Sequence, residues 1–138
     1  MTLTLTPTGF RRLALPLAQL SLAAVLKCGQ SFRWTSYPVS PVSHEYRFCL
    51  RDRVVCLRQS SEALFYRSVF PSGPLDPAQA DAREEETLAW LNDYFQLDVD
   101  LVKLYDVWSE RDPVFRNVRP RFPGIRMLRQ DPWENLVS

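Results

Sequence analysis

The chain has 138 residues, 46% of them hydrophobic and 12% aromatic, with a formal net charge of +1. That length suits about one domain, and that composition excludes a disordered or low-complexity polymer. No apolar run approaches the roughly 18 residues of a membrane span and no secretory leader pattern is visible, so no membrane partner is expected.

In chain order, Phe10–Pro16 (FRRLALP) reads as an opening strand. Residues 18–27 (AQLSLAAVLK) read as a short apolar helix, with Gly29 just beyond it where a left-handed cap belongs. Four strand-like runs follow: QSFRWTS, EYRFCL, RVVCLRQ and ALFYRSVF. Arg51-Asp52-Arg53 suits a hairpin turn, and the short spacings favour antiparallel pairing. Phe70–Pro77 (FPSGPLDP) reads as a connector. Asp81 with Glu84 suits a capping box opening a helix through Phe95, with Leu88, Leu91 and Phe95 as its stripe and Glu84–Glu86 near the positive end of its dipole. After Asp100, the residues Leu101, Leu104, Tyr105 and Trp108 predict a second helix with one buried face. Asp112-Pro113 starts a third, Gly124 interrupts, and Asp131-Pro132, with Glu134 behind, starts a fourth. The fourth has only about one turn here, too little to be stable without a partner. The fold class expected is α+β: an antiparallel sheet first, then helices.

Charge is uneven. Residues 76–100 carry eight acids and one base, whereas from Arg111 to Arg129 there are six arginines and one acid, Asp112. Such a basic run suits either a phosphate-facing patch or a solvated face. The cysteines, Cys28, Cys49 and Cys56, lack a C-x-x-C pair, and His44 is the lone histidine, expected in a loop. No metal site and a reducing compartment are expected.

Three blocks carry a resemblance. GQSFRW (Gly29–Trp34) follows a short Leu-rich helix; YFQLDVDLVKLYDVW (Tyr94–Trp108) and FPGIRMLRQDPWENL (Phe122–Leu136) follow in order. Together they resemble the N-terminal region of the eukaryotic 8-oxoguanine DNA glycosylases. Lys27 and Cys28 depart from that family's pattern, where a proline and a small non-sulfur residue are expected.

The resemblance implies a sheet domain similar to half of a TATA-binding protein over residues 1–97, and over 98–138 the start of an incomplete helix-hairpin-helix glycosylase domain. It implies an 8-oxoguanine DNA N-glycosylase and apurinic/apyrimidinic lyase of base-excision repair, acting without cofactor on duplex DNA containing oxidised guanine. A monomer is expected, in the nucleus, with a mitochondrial share left open. The nucleophilic lysine and assisting aspartate belong to a later helix-hairpin-helix, so no catalytic residue is assigned here and the chain alone is expected to lack excision. The alternative is a stand-alone DNA- or protein-binding module without chemistry.

For the site, the resemblance implies that the Gly29 carbonyl faces the flipped base. Oxidation at C8 turns N7 of guanine from an acceptor into an N–H donor, so a fixed carbonyl pairs with the lesion and opposes a lone pair in guanine. An acceptor left unpaired costs about 1–3 kcal/mol, and a site built on hydrogen bonds rejects analogues better than an apolar one. Gly29 also reads simply as a helix cap. Gln30 and Phe32 are further candidates for the substrate, although Gln30 also suits a loop-orienting role, and Phe32 with Trp34 suits one buried strand face. Arg126 and Arg129 are candidates for phosphate contact, or for capping and pairing within the fold.

Overall fold

The computed structural model describes residues 6–7, 9–41, 43–71 and 75–137. The architecture is α+β, with strands β1 (Thr6–Pro7), β2 (Arg11–Ala14), β3 (Thr35–Ser40), β4 (Ser43–Leu50), β5 (Arg53–Gln59) and β6 (Ala63–Phe70). The helices are α1 (Leu22–Val25), α2 (Pro77–Tyr94), α3 (Leu101–Arg111), α4 (Pro113–Val118) and α5 (Pro132–Val137), with a 3-10 turn at Arg119–Arg121. The sheet is antiparallel, and β3, β4, β5 and β6 lie side by side in sequence order. At its other edge β2 pairs with the start of β6 and β1 with its end, as one interrupted edge strand.

Two compact units emerge, Met1–Ala14 with Arg33–Trp90 and Leu15–Phe32 with Leu91–Ser138. In the first, register partners share a face, so Val55 and Ser68 point the same way. Ser68 Oγ lies 2.8 Å from Thr87 Oγ1, which sets α2 over that face. Val55, Leu57, Leu64 and Phe70 are buried there. The Arg53 guanidinium, wholly buried, donates to Thr87 Oγ1 at 2.7 Å and to the Arg83 carbonyl at 2.8 Å. It pairs with Asp52 and Glu86 and lies over the rings of Trp90 and Phe70, at 4.1 and 4.9 Å. In the second unit, Leu20, Leu22, Val25, Leu91, Phe95 and Leu101 form the buried core.

Several expectations shift. The strand expected over QSFRWTS begins only at Thr35, where the described ladder with β4 starts at the Thr35–Arg47 pair. The expected helix over 18–27 contracts to Leu22–Val25, capped by Ser21, whose hydroxyl accepts from Ala24 N–H. Helix α2 starts before the expected Asp81 cap, since Asp76 accepts from Gln79 N–H at 2.8 Å and Pro77 fits the first position. Glu84–Glu86 are therefore mid-helix, away from the positive end of the dipole: Glu84 is buried and Glu86 pairs with Arg53. Trp108 is 43% exposed, so the buried face of α3 runs through Leu101, Tyr105 and Ser109 instead. His44 lies in β4, not a loop, with its Nδ1 3.2 Å from Ser36 Oγ. The Asp100, Asp112 and Asp131 helix starts hold: each side chain accepts from backbone N–H groups of its first turn. Of the expected connector, Ser72, Gly73 and Pro74 lie outside the described residues.

Candidate nucleic-acid interface

The candidate site lies within the second unit, where the loop after α1 meets the extended segment 126–130. Gly29 is exposed with φ +87°, and a Cβ built there meets nothing within 4 Å. Among the described residues its carbonyl has no hydrogen-bond partner. The open surroundings and the left-handed backbone both suit glycine.

Gln30 fixes this loop. Its Nε2 donates to the Arg126 carbonyl at 2.6 Å, and its Oε1 accepts from Leu128 N–H at 2.8 Å. Gln130 Nε2 donates back to the Gln30 carbonyl. The opposite edge of the segment is held as firmly: Gln96 Nε2 donates to the Met127 carbonyl at 2.9 Å, and Arg129 N–H donates to the Tyr94 carbonyl at 2.8 Å. Side-chain amides thus substitute for neighbouring strands, satisfying an extended backbone that belongs to no sheet.

Arg126 is only 6% exposed. It donates to the carbonyls of Gln19 and of Gln96 (2.7 Å) and to Gln19 Oε1 (2.9 Å). Burial pushes its guanidinium below the ordinary arginine value, but arginine starts so high that it stays a cation. The phosphate contact expected of Arg126 is therefore not carried forward: its charge is spent inside the unit, joining α1's entry to the turn after α2. The Arg129 side chain is 61% exposed, with Asp93 at 3.4 Å and Gln96 Oε1 at 3.3 Å. An exposed pair of this kind is worth at most about 1 kcal/mol.

Phe32 is 74% exposed, which overturns the buried strand face expected for it with Trp34. With no strand over 31–34, the two rings need not share a face: Trp34 stacks on Phe48 at 4.7 Å while Phe32 stands in solvent. Between Gln30 and Phe32, Ser31 buries its hydroxyl without a partner among the described residues. The role of Gln96 is one that the sequence did not single out; its positive φ of 53° beyond α2 is not legible in residue type.

Among the described residues no group of His, Cys, Asp and Glu is arranged to hold a metal ion, and no helix is long and apolar enough to cross a membrane. Lys27 and Lys103 are both exposed, and Lys103 Nζ lies 4.0 Å from Asp100. Neither has the desolvated setting that activates an amine nucleophile.

The family model described as "8-oxoguanine DNA glycosylase, N-terminal domain" matches residues 12–136. The chain belongs to this 8-oxoguanine DNA glycosylase family. It is similar to the N-glycosylase/DNA lyase of Saccharomyces cerevisiae, 37% identical over 134 residues, covering 94% of this chain and 33% of that protein. It is also similar to the N-glycosylase/DNA lyase OGG1 of Arabidopsis thaliana, 29% identical over 135 residues, covering 96% of this chain and 33% of that protein. The chain thus spans a third of the length of these glycosylase relatives. Gly29, Gln30, Phe32, Arg126 and Arg129 all fall inside the region matched by the glycosylase model, and a module unrelated to glycosylases is not favoured.

Proposed function

We propose that this chain supplies one wall of the damaged-base pocket of an 8-oxoguanine DNA N-glycosylase and apurinic/apyrimidinic lyase acting on duplex DNA in the nucleus. The observation that carries the reading is Gly29: an exposed residue held in a left-handed turn with open space around its Cα, whose carbonyl has no hydrogen-bond partner among the described residues. A flipped base with N7–H satisfies that oxygen, whereas intact guanine sets a lone pair against it. The difference of about 1–3 kcal/mol for an unsatisfied acceptor is roughly a 5- to 150-fold preference from one contact. Base flipping is required because the N7 edge must meet a rigid acceptor inside a pocket.

Gln30 acts in this reading as a positioning residue that fixes the loop carrying Gly29. Phe32 offers an exposed ring for stacking, and Arg129 a phosphate contact that sets register without reading sequence. No catalytic residue is assigned, because both lysines are solvated.

The test is a chimera in which these residues replace the matching third of the Saccharomyces cerevisiae N-glycosylase/DNA lyase. Excision of 8-oxoguanine opposite cytosine, with borohydride trapping, is expected from the chimera and not from the 138-residue chain alone. Gly29→Val in the chimera is expected to reduce excision and the lesion-to-guanine ratio together. An unchanged ratio would remove the carbonyl from lesion reading, and excision by the chain alone would show a nucleophile among its own residues.

A further inference from the structure

In the first unit, the sheet face turned away from α2 is an arginine rack. Arg12 and Arg58 are both register partners of Phe65, and Arg47 and Arg67 are both register partners of Cys56, so all four share one face. Cys56 and Arg58 lie two apart on β5, which puts both rows on the same side. Helix α2 covers the opposite side, through Thr87 on Ser68 and Arg53.

One carboxylate organises three of these cations. Glu45, 1% exposed, pairs with Arg47 at 2.6 Å, Arg58 at 2.9 Å and Arg67 at 3.8 Å. Their side chains stay 41%, 42% and 27% exposed. Rings hold them in place: Phe10 lies under both Arg58 (4.6 Å) and Arg67 (4.7 Å), and Tyr37 under Arg47 (4.3 Å). Arg12 is exposed and has no partner among the described residues. Four cations thus face one anion. Three guanidiniums bring far more N–H donors than one carboxylate can accept from, and the buried Arg67 Nε has no acceptor among the described residues.

We propose that this face is a second, sequence-independent binding surface for the phosphate backbone of duplex DNA, separate from the loop at Gly29. Charge complementarity selects a polyanion, and fixed planar forks select phosphate oxygens. Because Glu45 and the rings already hold three of the four guanidiniums, those of Arg47, Arg58 and Arg67, little of their rotamer freedom is lost on binding. The surface reads no base: it holds the protein on intact DNA through the phosphates alone.

The experiment is fluorescence anisotropy of the 138-residue chain with a labelled, undamaged duplex across a series of salt concentrations. Each phosphate contact contributes about 0.9 to the slope of log K against log salt. Arg12→Ser with Arg58→Gln is therefore expected to flatten that slope by close to 2 and to weaken binding equally for damaged and undamaged duplexes. Arg12→Lys with Arg58→Lys is expected to retain the slope. Circular dichroism checks folding; should Arg58→Gln unfold the chain, Arg12→Ser alone, at an exposed position, is expected to lose about 1. An unchanged slope overturns the proposal, as does polyglutamate competing as well as duplex per unit charge. The salt slope on undamaged duplex reports this surface and the lesion-to-guanine ratio of the chimera reports the loop, so failure of the one and failure of the other give different results.

Discussion

The side-chain amide of Gln30 pairs with the backbone at Arg126 as a neighbouring strand would, donating to its carbonyl at 2.6 Å while accepting from Leu128 N–H at 2.8 Å. Two groups of the extended segment depend on this one side chain. Gln30→Ala leaves both without their partner in a part-buried place, at a cost of about 2 kcal/mol. Gln30→Glu is expected to cost more, because a carboxylate then opposes the Arg126 carbonyl. Urea denaturation of the three proteins checks the order; equal midpoints would show that water replaces the amide without loss.

Two glycines with positive φ separate structure from access. At Gly124 (φ +70°) a Cβ would run into the backbone of Leu17, Leu20 and Ser21, with the Leu20 carbonyl carbon at 2.8 Å. The Gly124 carbonyl also accepts from Ser21 N–H at 2.8 Å, so this close approach ties the turn to the start of α1. At Gly29 (φ +87°) a Cβ meets nothing. Gly29→Ala is expected to cost only the left-handed backbone penalty, about 1–2 kcal/mol. Gly124→Ala adds a backbone clash that only displacement relieves, and is expected to lower the melting temperature much further. Thermal unfolding followed by circular dichroism compares the two; equal losses would contradict the tight packing at Gly124.

These two glycines also mark what residue order makes legible. A glycine after an apolar helix reads as a left-handed cap; Gly29 does take a positive φ, but α1 already ends at its cap Leu26, so the glycine turns the loop beyond the helix instead of capping it. Three of the four Asp-led helix starts and the hairpin at Arg51-Asp52 are equally legible, because a cap or a short turn is set by its own few residues; the fourth, at Asp81, is not, because Asp76-Pro77 starts the helix first. The exposure of Phe32 is not legible, because alternation with Trp34 predicts a shared face only if the residues lie in a strand, and the described strand begins at Thr35. Arg126 was ambiguous for a related reason: an arginine in a basic run reads as surface, whereas its burial follows from carbonyls of Gln19 and Gln96, which are distant in sequence. The arginine rack was invisible as a run, since its members come from β2, β4, β5 and β6 and converge only through register.

The buried Arg53 allows a test of what a paired interior charge contributes. Its guanidinium is fully buried, while Asp52 and Glu86 are half exposed and can rehydrate. Arg53→Ala loses the bonds to Thr87 and the Arg83 carbonyl and opens a void under Trp90, so a cost of about 3–5 kcal/mol is expected. Arg53→Met refills the volume without the charge, and near-isosteric apolar replacement of a buried ion is often close to neutral. Denaturant midpoints are expected to place Met well above Ala; Met falling as low as Ala would show that the bonds matter more than the volume.

Glu45 gives the fold an acid limit. Burial raises its carboxyl pKa, but hydrogen bonds from Arg47 and Arg58 and the charge of Arg67 outweigh burial and hold it below the ordinary glutamate value. A carboxyl whose folded value is depressed binds fewer protons folded than unfolded. Its contribution is therefore complete above the unfolded pKa of about 4.3 and is lost as pH falls from there through the lower folded value. Asp52, lowered by Arg53 and Arg83 against its own burial, adds in the same direction. Stability measured by urea midpoint is expected to be flat in this contribution from pH 7 to about 5 and to fall below about 4.3. In Glu45→Gln the fall is expected to be shallower, with the share due to Asp52 left over, while stability at pH 7 is lower because three arginines lose their common anion. An acid limb of unchanged steepness in Glu45→Gln would mean that the carboxylate is not held by the arginines, and the rack they form with it would lose its organising centre.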